Sequence, residues 1–137
     1  TVFFGMPDTI ISPNNVFESI CNEFTDQTDI ILGLFNTSNP EKFGMVEMDE
    51  NQNIIQILDK PKATHLKRMW GCIVWSPKFT DLIHLSVSNG EFDFANILNL
   101  AIENQLIVKG HFFPTGNFID IGTYSEIVKL ENQFRDF

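Results

Sequence analysis

The sequence predicts an α/β protein on three observations. Short apolar, β-prone runs alternate with segments whose apolar residues recur at helical spacing. Proline, glycine and capping residues fall at the joints between the two kinds of segment. Hydrophobic residues make up 43% of the 137, enough for a core in one domain of ordinary size.

The first run, TVFFG, reads as a strand that stops at Met6-Pro7-Asp8, because proline restricts the residue before it and cannot extend a central ladder. Ser12-Pro13 reads as a helix cap with a first-turn proline, and Val16, Phe17, Ile20, Cys21 and Phe24 follow as one helical face. DIILGLF is nearly continuous in apolar residues, the pattern of a strand covered on both faces as in a parallel sheet. FGMVEMD and NIIQILD flank Glu50-Asn51-Gln52-Asn53 and read as a hairpin. MWGCIVW is a further strand. Residues 77 to 87 and 92 to 105 read as helices, the second with Phe94, Ile97, Leu98, Ala101 and Ile102 in one stripe. LIVKGHFF returns to strand, and a last apolar strand end, GNFI, precedes Asp120. TYSE at residues 123 to 126 matches a capping box and opens a terminal helix carrying Ile127, Leu130, Glu131 and Phe134. No repeat or long linker divides the chain, so one domain over 1–137 is expected.

A formal net charge of −9 argues against general affinity for nucleic acid or anionic lipid, both of which need a basic surface. No apolar run approaches the ~18 residues of a membrane span, and the start TVFFGMPDT has neither a basic leader nor a cleavage site. The expectation is a soluble protein with no membrane partner. Cys21 and Cys72 are the only cysteines, and Cys72 lies in an apolar run where a buried reduced thiol is usual, which fits the cytoplasm. Against the acidic background, Lys60, Lys62, Lys67 and Arg68 fall close together and offer one local place for an anion; a solvated loop is the plainer explanation of the cluster taken alone.

Asp8 and Asp120 each follow an apolar strand. In open α/β sheets ligands bind beyond the carboxyl ends of strands, where loops converge and no helix covers the opening. Two carboxylates brought together there repel unless a cation sits between them, and Mg²⁺ is typically held by one or two carboxylates plus phosphates and water. Asp8 as a turn cap and Asp120 as a loop residue is the plainer alternative.

PEKFGMVEMDENQNIIQILDKP at residues 40 to 61, with MPDT before it and WGCIVW and FIDIGT after it, resembles the sugar-1-phosphate nucleotidyltransferases, of which glucose-1-phosphate thymidylyltransferase is the best-known type. That family shows the same order: an aspartate after a strand, P-x-x-[FY]-G-x-V-x-x-D, [DE]-K-P, a glycine-containing strand and [DN]-x-G-T. The resemblance covers nearly the whole chain. It implies a Rossmann-like, glycosyltransferase-A-like fold with an incomplete mixed sheet flanked by helices. It also implies transfer of a nucleotide from a nucleoside triphosphate to a sugar 1-phosphate, with pyrophosphate leaving.

By the same resemblance Asp8 and Asp120 are the metal-binding pair for Mg²⁺, with Asp120 buried because it is a ligand. Lys60 is the lysine on the sugar phosphate, and Asp59, standing where the family more often has glutamate, bonds a sugar hydroxyl. Gly44 and Gly71 admit close approach of backbone to the sugar, Trp70 standing where the family commonly has a small polar residue, and Asp93 lies near the sugar. Gly44 has an alternative as a strand-entry glycine needing positive φ, and Asp93 as a helix-start charge. His65 lies in the basic loop, where it is a candidate to assist phosphate binding, while His84 and His111 show no metal-ligand spacing.

The family's glycine-rich loop G-x-G-T-R, which cradles the triphosphate, has no match here, and Thr1 opens at the strand that carries Asp8. The expectation is therefore the sugar-binding second half of a nucleotidyltransferase, inactive alone and exposing a sheet edge that a partner chain could cover. Two other classes stay open: a sugar-phosphate-binding module without catalysis, and an oligomer-forming subunit, homo-oligomeric through the terminal helix with Phe134 and Phe137.

Overall fold

The computed structural model describes residues 1–135. Strands β3 (Ile30–Asn36) and β6 (Arg68–Trp75) form the centre of a six-stranded mixed sheet. β3 runs antiparallel to β6 and parallel to β7 (Val108–Phe112) on its other side. The hairpin of β4 (Gly44–Met48) and β5 (Ile54–Asp59) joins through β4, whose Met45 faces Met69 of β6. β1 (Val2–Gly5) also pairs antiparallel with β6, Gly5 opposite Cys72. A separate two-stranded sheet joins β2 (Thr9–Ser12) to β8 (Asn117–Asp120).

Alternation of side chains along β3 builds a core on each face of the sheet. Ile30, Leu32 and Leu34 pack with Ile73, Phe79, Ile97, Leu98 and Ala101, under helices α2 (Pro77–Ser88) and α3 (Phe94–Glu103). Ile31 and Phe35 pack with Val16, Ile20, Met45, Met69 and Cys72, under α1 (Val16–Asn22). The reading of residues 29 to 35 as a strand covered on both faces therefore holds, although the sheet around it is mixed rather than parallel. A continuous apolar run reports burial, not the direction of its neighbours.

Two local readings change. Thr9–Ser12 is a strand and not a loop, and Ser12 ends it rather than capping a helix; α1 begins at Val16 after Asn15, which makes no side-chain cap bond. The partner of β2 lies more than a hundred residues away, so its pairing left no local signal. The hairpin turn is as expected, closed by the Asp49 carboxylate, which accepts from the Asn51 and Asn53 amides at 2.8 and 2.9 Å and from the Asn53 side chain. The Asn53 bonds hold that carboxyl below its ordinary range.

At the carboxyl side, Thr123 and Glu126 bond each other through their side chains at 2.8 Å, rather than forming a reciprocal capping box, and α4 (Tyr124–Arg135) follows. Phe137 lies outside the described residues, as does the side chain of Phe134. No helix among the described residues is long and apolar enough to cross a membrane.

Gly33 marks the tightest contact between the central strands: a Cβ there would lie 2.4 Å from the Cys72 sulfur. Burial pushes the Cys72 thiol up to about 12. The neutral thiol is thus the folded form, and its contribution to stability is lost as pH rises from its ordinary value near 9.0 towards 12. Gly33→Ala is expected to cost about 1–3 kcal/mol in urea denaturation, and Cys72→Ala added to it to recover part of that loss. A double variant no more stable than Gly33→Ala would show that the sulfur is not the obstacle.

Candidate functional site

β1 and β4 share one edge of β6, end to end, and part where they meet. β1 leaves the ladder after Gly5, opposite Cys72, and β4 engages at Met45, opposite Met69. Trp70 and Gly71 of β6 therefore have no strand partner on that side among the described residues. A cavity of about 510 Å³ opens at this split, and chain segments leaving several strands converge on it. That is the kind of place where an α/β sheet receives ligands, because neither ladder nor helix fills it.

All seven site residues implied by the family resemblance line this cavity. Asp8 reaches it from the loop after β1, Gly44 from the start of β4, and Asp59 and Lys60 from the end of β5. Gly71 comes from β6, Asp93 from the head of α3 and Asp120 from the end of β8. The basic cluster, by contrast, divides. Lys62 and Lys67 are exposed and do not line the cavity, while Arg68 lies 4.1 Å from the centre of the Phe112 ring.

Backbone pairing brings the two aspartates side by side. Asp120 stands opposite Thr9, and the Ile121 N–H donates to the Asp8 carbonyl at 2.8 Å. Asp120 Oδ1 accepts from the Gly122 N–H at 2.8 Å. A Cβ on Gly122 would lie 2.9 Å from that oxygen and 3.0 Å from Asp8 Oδ2, so both carboxylates turn to the same glycine. Burial is less than expected, with Asp8 exposed and Asp120 half-buried, because β8 sits in the small two-stranded sheet at the cavity edge and not in the core. Among the described residues no group of three or more His, Cys, Asp or Glu gathers. Two partly wet carboxylates suit a hard divalent ion that keeps water or takes phosphate oxygens, and do not suit a closed protein cage.

Lys60 has φ of 43°, a conformation costly for any residue with a side chain. Its N–H donates to the Phe43 carbonyl at 3.0 Å, which ties the end of β5 to the entry of β4. It forms no ion pair among the described residues. Gly44 has no positive φ, so that alternative fails; the glycine is there for space, since a Cβ would meet the Trp70 indole nitrogen at 2.4 Å. Gly71 likewise makes room for Phe118, whose ring a Cβ would meet at 2.4 Å. Asp93 is indeed the helix cap of the alternative reading, accepting from the Asn96 N–H at 3.0 Å, and it faces the cavity as well.

Sequence reasoning missed Lys42 and most of the aromatic wall. Lys42, in the short 3-10 turn Pro40–Lys42, lines the cavity and lies 3.5 Å from Glu126 of α4. The Thr123 hydroxyl, with Lys42 adding, holds the Glu126 carboxyl below its ordinary range. Its place directly before Phe43-Gly44 was the available signal. Phe43 and Phe118 stand edge to face at 5.8 Å, and Trp70 and Phe94 lie 5.5 Å apart.

An open mixed sheet with an acid-lined cavity at its split is the architecture in which α/β proteins take small ligands at a strand-end opening. The family model named Nucleotidyl transferase matches residues 3–136, and the chain belongs to that family. It is 26% identical over 118 residues to a bifunctional sugar-1-phosphate nucleotidylyltransferase/acetyltransferase of Sulfurisphaera tokodaii, covering 79% of this chain and 29% of that protein. It is 27% identical over 97 residues to the bifunctional protein GlmU of Methanococcus vannielii, covering 71% and 20%.

Among solved structures, a protein described as a glucose-1-phosphate thymidylyltransferase from Bacillus anthracis, in complex with a sucrose, superimposes with a TM-score of 0.77 at 24% identity. The match covers 98% of this chain and 55% of that one. The inositol-1-phosphate CTP transferase of T. maritima gives 0.72 at 20% identity, covering 97% and 55%. These neighbours share the Rossmann-like fold. The chain spans under a third of the curated relatives and just over half of the structural neighbours.

The strained backbone at Lys60 yields a direct test. Lys60→Gly is expected to raise stability by about 0.5–1 kcal/mol, seen as a higher melting temperature, because glycine takes positive φ without strain. A lower melting temperature would show that the lysine side chain itself supports the fold.

Proposed function

We propose that this chain provides the sugar-phosphate half of a sugar-1-phosphate nucleotidyltransferase site. The observation that carries the reading is the gathering of Asp8, Asp120 and Lys60, distant in sequence, around one cavity at the split of the sheet. The family assignment supports the reaction class: a phosphate oxygen of the sugar phosphate attacks the α-phosphorus of a nucleoside triphosphate, the bond to the leaving group breaks, and pyrophosphate departs. Such a reaction needs no protein nucleophile, so positioning and charge complementarity are what the residues contribute.

In this reading Lys60 is the catalytic cation. Its ammonium holds the acceptor phosphate from one side of the cavity as a flexible point charge that also permits release. Asp59 and Asp93 accept hydrogen bonds from the far end of the acceptor, and Gly44 and Gly71 keep the floor low by leaving room for the Trp70 and Phe118 rings close to the backbone. Asp8 and Asp120 are the ligands we assign to Mg²⁺, which when bound would offset negative charge on phosphate oxygens. The G-x-G-T-R loop that would hold the triphosphate is not in these 137 residues, so the nucleotide must be bound by groups supplied from elsewhere. A cytoplasmic setting fits the free thiols at Cys21 and Cys72.

Calorimetry with glucose 1-phosphate, with and without Mg²⁺, tests this assignment. Lys60→Ala is expected to weaken phosphate binding at least tenfold, the loss of one charge-assisted contact of about 1.5–3 kcal/mol. Asp8→Asn and Asp120→Asn should each remove the dependence on Mg²⁺ while the folded state persists by circular dichroism. Binding that survives all three substitutions would place the phosphate elsewhere.

A further inference from the structure

Trp70 brings to the cavity a group that neither the phosphate nor the metal requires. It lies at the split of the sheet, with Leu34 as its ladder partner on one side and no strand beside it on the other among the described residues. Its ring is 5.5 Å from that of Phe94. Its Nε1 sits so near the start of β4 that a Cβ on Gly44 would meet it at 2.4 Å. The indole is therefore wedged between an aromatic ring and a stretch of backbone, and its orientation is fixed by both.

The Nε1–H itself is uncommitted. Trp75, the other tryptophan, donates its Nε1–H to the Thr80 hydroxyl at 2.9 Å, whereas Trp70 Nε1 has no hydrogen-bond partner among the described residues. No buried side-chain nitrogen or oxygen among those residues is left without a partner, so the Trp70 nitrogen is one that solvent reaches. On a half-buried side chain that lines the cavity, such a donor opens into the cavity.

The other side-chain donors around the cavity are engaged elsewhere. The Thr9 hydroxyl donates to the Met6 carbonyl at 2.7 Å, Lys42 lies 3.5 Å from Glu126, and Lys60 is the cation assigned to the phosphate. Acceptors are in better supply. Asp59 has no ion-pair partner among the described residues, and Asp93, whose Oδ1 accepts the Asn96 N–H, keeps Oδ2 without a hydrogen bond among them. A sugar hydroxyl both donates and accepts. Carboxylates answer its hydrogen, but its oxygen needs an N–H or O–H, and Trp70 is the neutral side chain that supplies one.

Resting on the assignment of the phosphate end to Lys60, we propose that Trp70 is a specificity-determining residue for the sugar, its Nε1–H donating to a hydroxyl oxygen while Asp59 and Asp93 accept from other hydroxyls. Gly44 is then a positioning residue that acts through Trp70, since its missing side chain leaves the space in which Nε1 sits. A site that holds an N–H for a hydroxyl discriminates against ligands lacking one, because the donor would lose water and gain no partner.

Titration calorimetry of the 137-residue chain in Mg²⁺, with glucose, galactose and mannose 1-phosphates and with inorganic phosphate as the sugar-free reference, tests the proposal. At least one hexose phosphate is expected to bind about tenfold more tightly than inorganic phosphate. Trp70→Phe keeps a ring beside Phe94 and removes the N–H; it is expected to weaken that hexose phosphate about three- to tenfold and to leave inorganic phosphate within about twofold. Gly44→Ala is expected to weaken the hexose phosphate similarly by itself, and by less than about twofold when added to Trp70→Phe. Tryptophan emission gives a reading that needs no variant and decides the matter if Trp70→Phe does not fold: it should change with the hexose phosphate and not with inorganic phosphate. Where Trp70→Phe folds, that change should vanish although Trp75 remains. A hexose phosphate bound equally by both chains, or a loss shared equally by inorganic phosphate, would overturn the proposal and leave the phosphate site standing. Hexose phosphates that bind no better than inorganic phosphate, or an emission indifferent to the sugar, would do the same. If no hexose phosphate and no inorganic phosphate binds the unaltered chain, the assignment of Lys60 fails and this proposal fails with it.

Discussion

The pairing of Thr9–Ser12 with Asn117–Asp120 is the constraint on which the site depends. It is a ladder of only four residues on each side, yet it joins segments at opposite ends of the sequence. Register does the rest: with Thr9 opposite Asp120, and the Asp8 carbonyl bonded to the Ile121 N–H, the backbones of the two aspartates are held side by side. A slip of one residue would turn Asp120 to the other face, since side chains alternate along a strand. Gly122 completes the arrangement by leaving free the space that a methyl group would occupy between the two acids.

A second constraint is the division of one edge of β6 between β1 and β4. Each strand covers part of that edge, and the uncovered residues Trp70 and Gly71 form the floor of the cavity. Large and missing side chains are matched there in pairs, Trp70 over Gly44 and Phe118 over Gly71, so the aromatic wall lies close against the backbone. Substituting either glycine would push a ring into the cavity, which makes these glycines part of the shape of the site as well as of the sheet.

Function is graded along the same lines. Membership of the nucleotidyl transferase family rests on a match to residues 3–136, and the fold agrees with that of the solved structures it resembles. Carboxylates and ring faces outnumber neutral hydrogen-bonding groups among the residues lining the cavity, while Lys42 and Lys60 provide the positive charge. Lys42 is also linked to Glu126 of α4, so the carboxyl-terminal helix bears directly on the cavity mouth.

Local composition by itself determined where most strands and helices lie, because burial periodicity and capping act within a few residues. β3, the β4–β5 hairpin, β6, α2 and α3 were all readable in this way. Motif order was also enough to nominate seven residues that prove to line one cavity. Tertiary structure alone decided what depends on distant partners: that Thr9–Ser12 is a strand, which neighbours β3 takes in the sheet, and that Asp120 is only half-buried. It likewise decided that Lys60 takes a strained φ, that Arg68 turns to Phe112, and that Lys42 joins the cavity. The physical reason is common to all of these. Hydrogen-bond ladders and packed rings are satisfied by whichever segment the fold brings near, and a stretch of sequence carries its own propensities but no record of its neighbour.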